Sequence, residues 1–231
     1  MRELRTPYFE TGVKCYLYGE AEMEFARKCE AMSVKYDVDV LFISSFMNMK
    51  DIVRECPHLF VIAQAVDNWK PGRGMGKIIP EALKEAGAWG ACINHCERPV
   101  ALTDLKGAID RCRECGIKSF VCADSTDEAM AVAHLHPDIM NPEPSELIGT
   151  GVSPDMDYVT KTVKAVNEID KNIITEIAAG ISTAQDVYDY IMAGSDAAGA
   201  ASGIIKSDHP DELLEEMVAA VAKARDDLQK K

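Results

Sequence analysis

The chain has 231 residues, 47% of them apolar and 27% charged, the balance of a globular protein large enough to bury a core without metal or disulfide staples. Lys and Arg number 25 against 38 Asp and Glu, so the formal net charge is -13. That charge argues against nucleic acid or an anionic membrane as partner, and it leaves any anionic small molecule to be held by local donors.

No apolar run nears the roughly 18 residues of a membrane span. The opening MRELRTPYFETG lacks the apolar segment of a signal peptide. The eight Cys (15, 29, 56, 92, 96, 112, 115 and 122) are scattered through core-like segments and read as buried free thiols. The expected location is therefore the cytoplasm.

The chain alternates short apolar runs with charged segments of helical spacing. Tyr8–Val13 is a weak first strand, followed by a helix over Gly19–Tyr36 that places Met23, Phe25, Ala26, Cys29 and Met32 near a 3–4 period. Strands are predicted at Asp39–Ser44, Leu59–Gln64 and Gly90–Asn94. A helix over Thr103–Cys115 opens at the cap-like Thr103-Asp104 and stops before Gly116. Strand Lys118–Ala123, helix Thr126–Leu135, strand Asp138–Asn141, helix Met156–Ile169, strand Asn172–Ile177 and helix Thr183–Met192 follow. Asp196–Ala200 (DAAGA) has no β-branched residue and is read as a strand because the alternation demands one; helix Pro210–Lys230 closes the chain.

Eight such alternations predict a single α/β domain over residues 1–231, a (β/α)8 TIM barrel. The competing open, doubly wound sheet needs a glycine-rich fingerprint after the first strand, and Gly12-Val13-Lys14 is not one.

In such a barrel, chemistry gathers where the strands end. Lys14 follows the first strand, His95 and Glu97 the fourth, and Glu143 the sixth. Taken singly these would be a solvated cation, a hydrogen-bonded structural His and a helix-entry Glu; three on one rim form a constellation. The turns Ala179-Gly180-Ile181-Ser182 and Ala201-Ser202-Gly203 expose backbone N–H groups ahead of helices, a pattern that either holds phosphate or is merely a tight turn. Leu147-Ile148-Gly149-Thr150-Gly151 suits a hinge or lid. His58, His134, His136 and His209 read as structural, and Cys112-x-x-Cys115 lacks the second pair of a zinc site.

At these residues the sequence resembles triosephosphate isomerase of the short archaeal type. Ile93-Asn94-His95-Cys96-Glu97-Arg98 resembles that family's N-H-S-E-[KR] segment, and Glu143 through Gly151 resembles E-P-P-E-L-I-G-T-G. Gly12-Val13-Lys14-Cys15-Tyr16 aligns with N-x-K-T-Y, and Gln64 through Gly76 with the loop that enters a neighbouring subunit. The resemblance implies Glu143 as base, His95 as neutral electrophile and Lys14 as the cation that offsets developing charge. It implies substrate contacts at Gly12, Lys14, Ile148, Gly149, Gly180, Ala201 and Ser202, no metal or organic cofactor, a small phosphorylated sugar as substrate, and a homodimer or homotetramer. Glu97 is expected to pair with Lys14 or another rim cation.

Six positions depart from the family pattern: Gly12 stands for Asn, Cys96 for Ser, Ala178 for Gly, Ala65 for a polar residue, and Asn141-Pro142 for small or apolar residues. Beside interconversion of glyceraldehyde 3-phosphate and dihydroxyacetone phosphate through an enediolate stand two alternatives, the first motivated by Gly12, Ala65 and Asn141. One is an isomerase of another small phosphorylated sugar, such as a four-carbon one. The other is a non-catalytic phospho-sugar-binding barrel.

Overall fold

Eight strands account for the apolar runs: β1 Tyr8–Gly12, β2 Val40–Ser44, β3 Leu59–Ala63, β4 Gly90–Ile93, β5 Lys118–Ala123, β6 Ile139–Pro142, β7 Ile174–Ile177 and β8 Ala197–Gly199. In the computed structural model, which describes residues 2–230, they form a closed, wholly parallel barrel in chain order. Residues 1 and 231, the two ends of the expected domain, lie outside the described residues. β1 closes the ring by pairing with β2 on one side (Phe9↔Val40) and with β8 on the other (Glu10↔Gly199). Closure leaves no edge strand with unpaired backbone groups.

Alternation along each strand separates two apolar layers. Phe9, Val40, Phe42, Val61 and Val121 face outward into the layer beneath the helices. Tyr8, Leu41, Phe60, Ile62, Phe120 and Ile139 face inward and fill the barrel. This double burial explains why the strands read as near-continuous apolar runs.

The helices are α1 Glu20–Tyr36, α2 Met49–Glu55, α3 Pro80–Glu85, α4 Leu102–Cys115, α5 Thr126–Ala133, α6 Met156–Ile169, α7 Ala184–Met192, α8 Ser202–Ile205 and α9 Pro210–Leu228. α6 buries Val159, Thr162, Val163 and Val166, an i, i+3, i+4, i+7 stripe. Each such Val, fully buried, contributes on the order of 1.5–3 kcal/mol, so a charge at Val166 would be enough to break this contact.

Helix starts follow local chemistry. Thr183 and Asp186 form a reciprocal capping box at α7, Asp155 caps α6, and Ser125 caps α5. Thr103 does not cap α4: that helix starts one residue before it, at Leu102, with Ala101 in the cap position and no side-chain cap bond. Three short helices, α2, α3 and α8, lie outside the predicted set, because runs of four to seven residues are too brief to display a period. Several bounds also shift by a residue or more: β8 drops Asp196 and Ala200, β7 begins at Ile174, and α5 ends at Ala133.

Candidate active site

The carboxyl-terminal ends of the strands surround a cavity of about 910 Å³. Its wall includes Lys14, His95, Glu143, Gly12, Ile148, Gly149, Gly180, Ala201 and Ser202, so every site residue expected from sequence is brought to one place. The departures Gly12, Ala65, Asn141 and Ala178 line the same space.

Glu143 follows β6 directly, and its backbone N–H donates to the Ala123 carbonyl at 2.8 Å. Its side chain is only 13% exposed. Burial raises its pKa to about 7; Lys14 and a hydrogen bond from the Ala179 backbone N–H pull the other way. The carboxyl is thus poised to exchange a proton near neutral pH.

His95 lies across from it, with Nε2 at 3.6 Å from Glu143 Oε2. The other ring nitrogen, Nδ1, accepts the Glu97 backbone N–H at 3.1 Å. An acceptor at Nδ1 places the single proton of a neutral imidazole on Nε2, the atom that faces the cavity. Burial, then the charge of Lys14, lowers the His95 pKa and keeps the ring neutral.

Lys14 stands just past β1 in the left-handed region at φ 44. Two contacts hold it: Gln64 Nε2 donates to its carbonyl at 2.8 Å, and its Nζ meets Glu97 Oε1 at 3.0 Å. Despite partial burial, its pKa is raised by Glu97 and Glu143, so it remains a cation.

The two small-residue turns line the same cavity, following β7 and β8, the strands that lie between β6 and β1 in the ring. A Cβ added at Gly180 (φ +65) would come within 1.8 Å of the Val152 carbonyl oxygen. Only glycine allows the turn after β7 to meet the segment that follows Gly149-Thr150-Gly151 this closely. Ser182 Oγ also reaches the Gly151 carbonyl at 3.4 Å. The lid segment itself is shaped by Gly149 (φ 75) and Gly151 (φ 74), with Thr150 Oγ1 donating to the Leu147 carbonyl at 2.8 Å. The turn after β8 opens directly into α8, whose first residue is Ser202.

Two other histidines are occupied elsewhere: His58 pairs with Glu30, and His136 Nδ1 meets Asp170 at 2.7 Å. Among the described residues, no group of three His, Cys, Asp or Glu is placed to hold a metal ion. No helix among them is long and apolar enough to cross a membrane.

The sequence reading missed Glu10, which also lines the cavity, and the Ala179 N–H that reaches the candidate base. A signal for Glu10 did exist: it is an acid in the middle of a strand buried on both faces.

Residues 11–219 match the sequence model of a family described as triosephosphate isomerase. A triosephosphate isomerase of Sulfurisphaera tokodaii is 36% identical over 227 residues, covering 96% of this chain and 99% of that protein. Those of Sulfolobus acidocaldarius (34% identical; 96% of this chain, 97% of that protein) and Methanopyrus kandleri (35%; 94% and 99%) are similar to the same extent.

Proposed function

Because the chain belongs to the triosephosphate isomerase family, we propose that it interconverts glyceraldehyde 3-phosphate and dihydroxyacetone phosphate, with Glu143 as base, His95 as electrophile and Lys14 as electrostatic partner. The observation that carries this reading is the approach of a buried Glu143 to the Nε2 of His95 at 3.6 Å, in one cavity with Lys14.

The chemistry follows from those positions. Glu143 takes a proton from the carbon next to the carbonyl and returns it to the neighbouring carbon; a pKa about 7 suits a group that must both accept and give. His95 Nε2–H donates to the carbonyl oxygen and moves the hydroxyl proton between the two oxygens. Lys14 stabilises the negative charge of the enediolate, the kind of preorganised contact worth about 3–4 kcal/mol per donor. Gly180, Ala201 and Ser202 hold the phosphate through backbone N–H groups, with Gly12 beside the reacting end. The Ile148–Gly151 lid folds over the anion and excludes water. No step calls on a metal or organic cofactor.

A coupled assay with glyceraldehyde 3-phosphate tests this. Turnover that falls at least a hundredfold in Glu143→Asp is expected; turnover indifferent to that change would remove Glu143 as base. The non-catalytic alternative has no use for a buried base beside a neutral imidazole.

We read the chain as one working domain over residues 1–231 that associates as a homodimer or homotetramer in the cytoplasm. The segments after β1, β2 and β3 support the association by each exposing large apolar side chains, Tyr18, Met47, Trp69 and Met75. All eight cysteines are free thiols, in keeping with a reducing compartment. Light scattering that returns a monomer mass would refute the oligomer.

A further inference from the structure

Two buried polar side chains line the cavity below its rim, and neither is satisfied. Glu10 is 6% exposed, and its carboxyl takes part in no hydrogen bond among the described residues. Asn141 is 3% exposed; its Oδ1 has no partner, and its Nδ2 reaches only the Cys122 Sγ, at 3.9 Å. Buried groups of this kind are nearly always paired in folded proteins, unless something outside the chain completes them.

Their depth is set by the strands. Glu10 stands two residues before Gly12, and Asn141 two before Glu143, so each lies one inward-facing position, about 6–7 Å, deeper than those rim residues. Space is kept for them. A Cβ at Gly199, the register partner of Glu10, would come within 2.3 Å of Glu10 Oε2. Gly12 places no side chain over Glu10.

The chemistry of the pair selects its guest. Burial and repulsion from Glu143 push the Glu10 pKa up to about 8, so the group is protonated at neutral pH and both donates and accepts. Asn141 adds an amide donor at Nδ2, which has one N–H beyond the long contact to Cys122. An anion would face Glu143 above it; a neutral hydroxyl, with one donor and two acceptors, matches both groups.

In a triose phosphate the phosphate-bearing carbon lies toward the glycine turns and the two reacting carbons lie between Glu143 and His95. No atom is left to enter the deeper layer. Resting on the isomerase reading above, we propose that Glu10 and Asn141 form a hydroxyl-binding subsite that accepts the terminal hydroxymethyl group of a four-carbon ketose phosphate. On a 1-phosphate of this class Glu143 removes the proton from carbon 3, and the C–H electron pair enters the enediolate. The proton returns to carbon 2 while the hydroxyl proton shifts from oxygen 3 to oxygen 2 through His95. The carbonyl moves from carbon 2 to carbon 3, and no oxidant or reductant is consumed.

The test compares glyceraldehyde 3-phosphate, erythrulose 1-phosphate and the 4-deoxy analogue of the latter, in the wild type and in Glu10→Leu, Glu10→Gln and Asn141→Leu. The wild type is expected to favour erythrulose 1-phosphate over its deoxy analogue by about tenfold or more in kcat/KM. Glu10→Leu and Asn141→Leu should each lower the ratio of four-carbon to triose kcat/KM by about tenfold, mainly through KM, whereas Glu10→Gln, which keeps a donor and an acceptor, should retain most of that ratio. Equal rates on the two four-carbon ketoses, or a ratio unmoved by both leucine variants, overturns the subsite. Turnover of the triose without the four-carbon substrate overturns the subsite and leaves the isomerase reading intact. Turnover of the four-carbon substrate alone upholds the subsite and overturns the triose assignment; turnover of neither overturns both.

Discussion

Replacing Glu10 by Gln changes how stability depends on pH, in a direction set by its environment. The folded protein holds this carboxyl at a pKa of about 8, against an ordinary value of 4.5. As pH rises above 4.5 the unfolded chain gives up this proton while the folded chain keeps it. This progressively destabilises the folded state until the pH passes 8, above which the penalty stays constant. Integrated over that gap, the penalty is about 1 kcal/mol at pH 5 and about 3 kcal/mol at pH 7. That is a sizeable part of the roughly 5–15 kcal/mol that keeps a domain folded. Gln is nearly isosteric and does not titrate, so the variant loses this dependence, while the raised pKa of Glu143 still contributes its own share. The assay is urea unfolding followed by the fluorescence of Trp69 and Trp89, at fixed protein concentration and half-unit steps between pH 5 and 8. The advantage of Glu10→Gln over wild type should widen by about 3–4 kcal/mol across that range. Parallel curves for the two proteins would refute a neutral, buried Glu10.

The remaining predictions concern catalysis and the lid. Below pH 7, kcat/KM should fall about tenfold per pH unit as Glu143 takes up a proton, with an apparent pKa near 7 in the pH–rate profile of free enzyme. Lys14→Met should lower kcat/KM by about a hundredfold to a thousandfold, read in the same coupled assay. Gly180→Ala drives a Cβ against the Val152 carbonyl and strains a left-handed residue. It should cost about 1–3 kcal/mol of stability, visible as a lower Tm, and raise KM for triose phosphate.

The alternation of apolar runs and charged segments was readable because a wholly parallel barrel buries its strands on both sides. Even Ala197–Gly199, with no β-branched residue, was found by that rhythm. Long amphipathic helices such as α6 showed their period, whereas Met49–Glu55 and Pro80–Glu85 were too short to show one. Lys14, His95 and Glu143 stood out as charged or titratable residues at strand ends. Glu10 did not, because an acid inside YFETG weakens a strand by composition, and only the three-dimensional alternation reveals that it points into the barrel. The tautomer of His95 was equally hidden: it depends on one backbone N–H, from Glu97, which no side-chain pattern encodes.

The near-contact of Gly180 with the Val152 carbonyl links two segments that are 28 positions apart by numbering. Loop exchange between relatives would therefore have to transplant the pair as one cassette. A lid swapped alone would meet a foreign turn, and libraries that randomise either stretch in isolation would sample mostly mismatched halves.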